Sequence, residues 1–120
     1  MRIVGLRGAT TCDENSGTEI QAKVQELFRE MIGRNGIADD DLVSVIVTTT
    51  DDLDAIYPAS AVRALGFPDV PLLGAREAEV VGGLPRCVRI LIHCYSDRSR
   101  AEVQHVYLGD ARSLRTDLPA

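Results

Sequence analysis

Two arginines stand inside apolar, extended-looking runs, and they constrain this chain more than any other feature. The first closes the opening run Ile3-Val4-Gly5-Leu6-Arg7, ahead of a turn at Gly8-Ala9-Thr10-Thr11. The second sits in Val88-Arg89-Ile90-Leu91-Ile92. Both runs favour buried strands, where a guanidinium is costly unless an anion meets it. Two such strands, far apart in sequence, predict a sheet with a pocket for a small anion bearing carboxylates or phosphates. The net charge is -5, so these cations are not part of a general basic excess. The same balance argues against a nucleic-acid or anionic-membrane surface, since either needs a basic field.

The other elements follow from periodicity. Ser16 and Glu19 have capping-box spacing. Ile20, Val24, Leu27, Phe28, Met31 and Ile32 then fall on one helical face. Glu19 and Lys23 add a favourable pair one turn apart, and Gly33, Asn35 and Gly36 end the helix. Leu42 to Thr50 reads as a β-branched strand. Asp51 to Tyr57 reads as a loop or single turn, and Pro58 opens a short helix to about Leu65. Val70 to Leu73 is expected to be a short strand and Leu84 to about Tyr95 the longest one. A helical turn over Arg98 to Val103 leads to a strand at His105 to Leu108. After a turn at Gly109-Asp110, a last extended piece is expected to end at Leu114-Arg115.

The order β-α-β-α-β-β-α-β predicts an α+β (α/β-like) domain over residues 1–120, with a mixed sheet, one long amphipathic helix and short helices. One long helix covers only one sheet face, which leaves the other for oligomerisation to bury. The opening residues enter a strand pattern without a leader-like segment, and no apolar run is long enough to span a bilayer. Cys12, Cys87 and Cys94 form no CxxC pair and give an odd count, which suits a reducing cytoplasm. With His93 and His105 they make no zinc-ligand spacing, so no metal is expected.

Several segments, in order, resemble one family. They are Gly5-Leu6-Arg7-Gly8-Ala9-Thr10-Thr11, Tyr57-Pro58-Ala59-Ser60-Ala61-Val62-Arg63, Val70-Pro71 leading to Glu77, Gly82-Gly83-Leu84-Pro85-Arg86-Cys87-Val88-Arg89, His105-Val106-Tyr107-Leu108 and Leu114-Arg115-Thr116-Asp117-Leu118. Together they resemble the monofunctional chorismate mutases of the trimeric, pseudo-α/β-barrel class, over Arg2 to about Leu118.

That resemblance implies a cofactor-free isomerase converting chorismate to prephenate in phenylalanine and tyrosine biosynthesis. It also implies a homotrimer with its clefts between subunits. Orientation and preorganised charge are the levers for such a rearrangement. By the resemblance, Arg89 is the central catalytic arginine that donates to the ether oxygen, Arg7 grips the side-chain carboxylate, and Tyr107 supports that group. Glu77 accepts from the substrate hydroxyl. This match needs a one-residue deletion between Ala64 and Val70, and the alternative register selects Glu79. Arg63 and Arg115 are outer arginines, and Tyr57, Ala59, Leu73, Gly74 and Leu114 belong to the binding walls. Arg7, Arg89, Tyr107 and Arg115 of one chain are expected to face the Tyr57 and Leu73 region of its neighbour. Gly74 stands where the family can place a cysteine, and Ser60 where a lysine is expected.

Two other classes fit some of these features. A small trimeric imine deaminase also holds a carboxylate with an arginine, but leaves the second strand arginine and the Tyr57-Pro58-Ala59 segment unexplained. A trimeric module that binds an anionic metabolite without turnover needs the same pocket. Arg89 favours catalysis, because its charge is most useful in the transition state.

Overall fold

The structure, a computed structural model, describes residues 1–67 and 69–114. Its strands are β1 (Arg2–Thr11), β2 (Leu42–Thr49), β3 (Leu72–Arg76), β4 (Cys87–Ser96) and β5 (Val106–Tyr107). The helices are α1 (Gly17–Asn35) and the short α2 (Pro58–Arg63), with 3-10 turns at Asp39–Asp41 and Gly109–Leu114. The sheet order is β3-β2-β4-β1-β5. β4 runs antiparallel to both β1 and β2, while β5 joins β1 and β3 joins β2 in parallel. The sheet is therefore mixed, as the element order predicts.

The sequence specifies α1 at both ends. Ser16 Oγ accepts from the Glu19 N–H at 3.1 Å. The Glu19 carboxylate reaches back past the N-cap to the Asp13 N–H at 3.0 Å, whereas a standard capping box returns to the N-cap N–H itself. At the other end Gly36 is left-handed (φ 62°), and its N–H turns back to the Gly33 and Ile32 carbonyls. Ile20, Val24, Leu27, Phe28 and Met31 are buried against Val4, Leu6, Val45, Val47, Val88, Ile90 and Ile92 from one sheet face. The helix can come this close because position 8 lacks a side chain: a Cβ on Gly8 would lie 3.1 Å from Leu27 Cδ1. Among the described residues, no helix is long and apolar enough to cross a membrane.

Several boundaries differ from expectation. β1 does not stop at Arg7 but continues to Thr11, because Gly8 and Ala9 pair with β5 on one side and β4 on the other. β3 starts at Leu72 rather than Val70: Pro71 has no N–H to donate, and its carbonyl receives the Val45 N–H as the first rung of the ladder. β4 starts at Cys87 rather than Leu84, because Pro85 has no N–H and Arg86 adopts φ 48°. β5 keeps only Val106 and Tyr107 of its expected four residues. Residues 98–103 form a hydrogen-bonded turn and no helix. The stretch to Leu114 is 3-10 helical rather than extended, following the left-handed Gly109 (φ 56°).

The core also sets a pH limit. Cys12 is 2% exposed, and burial, aided by the Glu19 carboxylate, pushes its thiol from 9.0 up to about 11. The unfolded thiol ionises first. Stability from Cys12 is thus full below pH 9.0 and is lost as pH rises towards about 11. The urea midpoint of the wild type is expected to fall across that window more steeply than that of Cys12→Ala; parallel curves would contradict it.

Candidate active site

Strand alternation sorts the sheet into two faces. The register places Tyr107, Ala9, Arg89, Thr48 and Ala75 in one row across all five strands. Arg7, Leu91, Ile46 and Leu73 form the next row on the same side. This is the face that α1 leaves open. Arg7 and Arg89 are therefore exposed rather than buried, which corrects the expectation drawn from their apolar neighbours. Val88, Ile90 and Ile92 point to the helix, so the arginine between them points away.

Arg89 lies on β4, the middle strand of the five, with its side chain 52% exposed. Its Nε is 3.6 Å from Glu77 Oε2. Glu77 follows β3, tied by its N–H to the Thr49 carbonyl at 2.9 Å, and its carboxylate accepts from Thr48 Oγ1. Arg7, Glu77, Arg89 and Tyr107 line one concavity of about 270 Å³, floored by Ile46 and Leu91. Such a surface can hold an anion against two guanidiniums, with a carboxylate and a phenol at its edges. Glu79, the alternative acid, lines a neighbouring hollow with Glu77 and Arg89, and the Thr48 and Arg89 contacts belong to Glu77.

The start of β4 is held by groups to which the sequence assigned no role. Both Asp52 carboxylate oxygens accept from the Arg86 N–H, at 2.9 and 3.1 Å. Arg86 Nε donates to the Cys12 carbonyl at 3.0 Å. Burial alone would raise the Asp52 carboxyl, but hydrogen bonds from Thr50 and the Arg86 N–H outweigh it and hold the group below its ordinary value. One residue on, burial pushes the Cys87 thiol up against the opposing pull of the Arg89 charge. The left-handed residue before a strand was the available signal, and it shows only in the backbone.

The remaining predicted residues lie elsewhere on the chain. Tyr57, Ala59, Arg63 and Gly74 line a separate cleft between α2 and β3, with Tyr57 87% exposed. The open position at Gly74 is closed over by Ala59, 3.8 Å from where a Cβ would stand. Leu73, 60% exposed, points to the open sheet face. Leu114 ends the 3-10 helix that packs on β1. Arg115 falls outside the described residues.

The family described as chorismate mutase type I matches residues 3–118. Chorismate mutase AroH of Thermus thermophilus is 44% identical over 117 residues, covering 97% of this chain and 96% of that one. Chorismate mutase AroH of Bacillus subtilis (strain 168) is 38% identical over 119 residues, covering 98% and 94%. Among solved structures, a chorismate mutase from Clostridium thermocellum matches with a TM-score of 0.90 at 40% identity, covering 92% of this chain and 98% of that one. The matches span nearly the whole chain, and it belongs to the type I chorismate mutase family.

Proposed function

We propose that Arg89, Glu77, Arg7 and Tyr107, on the open sheet face, carry out the reaction of this family in a cleft that a neighbouring copy completes. The chain is a chorismate mutase, an isomerase of aromatic amino acid biosynthesis. Its substrate is chorismate and its product prephenate. The rearrangement breaks an ether C–O bond and forms a C–C bond within one molecule, so the protein must fold a flexible dianion and meet the charge that develops on the ether oxygen.

Arg89 meets that charge. A guanidinium stays protonated at working pH and presents a fixed planar fork. Glu77, held by Thr48, accepts from the substrate hydroxyl. Arg7 and Tyr107 hold the side-chain carboxylate. The observation that carries this reading is the placement of Arg89 mid-sheet, 3.6 Å from Glu77 and in one concavity with Arg7 and Tyr107. The Arg89–Glu77 contact within one chain supports a site that takes both from the same subunit.

Tyr57, Ala59, Arg63 and Gly74 serve a cleft on the adjacent subunit of a homotrimer. The exposure of Tyr57 and Leu73 supports that assembly, and so does the uncovered sheet face. Leu114, at the end of the 3-10 helix on β1, serves as a wall of the cleft, and Arg115 serves as an outer arginine for the dianion. Three free, buried thiols suit a cytoplasmic setting.

The test is the ultraviolet absorbance of chorismate with purified protein and nothing else added. The band is expected to decay, and acid is expected to convert the product to phenylpyruvate. No decay, from protein shown to be folded and trimeric, would leave a module that binds a dicarboxylate without turnover.

A further inference from the structure

We propose that His105 is a positioning residue for the substrate carboxylate: its neutral imidazole holds the Arg7 backbone and so fixes where the Arg7 and Tyr107 side chains converge. The proposal rests on the reading of Arg7 and Tyr107 given above. β5 is only two residues long, yet it brings Tyr107 beside Ala9 and Val106 beside Gly8. On its far side the ladder is regular, with the Leu108 N–H donating to the Ala9 carbonyl at 2.9 Å. On its near side a side chain replaces the backbone. The Arg7 N–H donates to His105 Nδ1 at 3.0 Å.

The reason lies one residue earlier. In a regular parallel ladder the Arg7 N–H would find the Gln104 carbonyl. That carbonyl is turned away onto Asn35 Nδ2 at 2.8 Å, and the Gln104 N–H donates to Asn35 Oδ1 at 2.7 Å. Asn35 is 3% exposed and also donates to the Met31 carbonyl at 2.8 Å. The end of α1 thus captures Gln104 in a two-bond clamp and takes it out of the sheet. The imidazole of the next residue supplies the missing rung. An accepting Nδ1 requires the proton on Nε2, so this is the neutral Nε2–H tautomer.

Arg7 and Tyr107 flank that rung, and both hold a carboxylate whose charge is the same in substrate and transition state. Losing the rung weakens binding of both states alike, which raises KM more than it lowers kcat. Asparagine places an acceptor near the Nδ1 position, whereas alanine places none.

The experiment compares His105→Ala, His105→Asn and Arg7→Ala with wild type by steady-state chorismate turnover. His105→Ala is expected to raise KM on the order of tenfold, with kcat within about threefold of wild type. His105→Asn is expected to recover most of that loss. Equal behaviour of the two His105 variants, or a KM unmoved in His105→Ala while Arg7→Ala raises it, overturns the proposal. An Arg7→Ala enzyme with unchanged KM overturns the carboxylate reading itself, and this proposal with it. The wild type offers an independent check, because it has only two histidines, His93 and His105. Long-range proton–nitrogen NMR is expected to show His105 as the Nε2–H tautomer near pH 8; an Nδ1–H tautomer there rules the rung out.

Discussion

Replacing Arg89 by lysine is expected to lower kcat by about 10² to 10³-fold, the usual cost of losing one preorganised donor at a developing negative charge. The substitution keeps the charge, so a role that needed only positive potential would survive it. What it removes is the planar fork, which lets one side chain face Glu77 with Nε and an ether oxygen with its terminal nitrogens. Stability is expected to change little. Arg89 is half-exposed and its distance to Glu77 is 3.6 Å, and pairs of this kind contribute about 0–1 kcal/mol. Turnover followed by chorismate absorbance, beside a thermal melt, separates the two effects. An Arg89→Lys enzyme of wild-type activity would take Arg89 out of the mechanism.

The second large effect distinguishes two acids. Glu77→Gln is expected to reduce kcat/KM by about 10²-fold, while Glu79→Gln stays within about threefold. The geometric difference is specific. Glu77 accepts from Thr48 and approaches Arg89, whereas Glu79 is exposed on the hollow beside it. Glutamine is nearly isosteric, so the fold is conserved and the loss reads the charge. If Glu79→Gln were the damaged enzyme, the acid in the site would lie two residues further along.

Local chemistry was what the sequence displayed best. The cap at Ser16, the apolar stripe from Ile20 to Met31 and the glycine at 36 act within one helix, and all three stand where periodicity put them. Features set by neighbours from afar were hidden. Gly8-Ala9 has the composition of a turn, and only the approach of α1 and the pairing with β5 make it strand. The burial assigned to the two arginines failed for a related reason. Leu91 and Ile3 share their face with Arg7 and Arg89, so both sides of the sheet look apolar and the alternation that marks a solvent face is blurred. An open face rich in apolar groups is what a partner surface would require.

The site residues divide in the same way. Arg7, Arg89, Glu77 and Tyr107 were proposed for the site because segments around them resemble a known family; the register brings Arg7, Arg89 and Tyr107 to one face, and Glu77 lines the same concavity. Thr48, Asp52, Arg86, Asn35 and His105 were not, since each acts by a hydrogen bond to a residue distant in sequence. Glu77 and Glu79 lie two apart, both beyond the end of β3, so counting residues cannot choose between them; the Thr48 contact favours Glu77.

The row Tyr107–Ala9–Arg89–Thr48–Ala75 also behaves as a reading frame. Each strand contributes to the site at a fixed odd or even count, and one residue gained or lost within a strand would turn its contribution to the helix side of the sheet. Length changes are therefore admissible between strands, or where a bulge absorbs the extra residue ahead of the row, as at the register shift between Leu42 and Ser44 of β2. The register that selects Glu77 needs a one-residue deletion between Ala64 and Val70, and such a deletion would meet that condition, since α2 ends at Arg63 and β3 begins at Leu72. A variant with an unabsorbed in-strand indel is thus expected to lose the chemistry even where it keeps the fold, and one with a loop of changed length is expected to keep both.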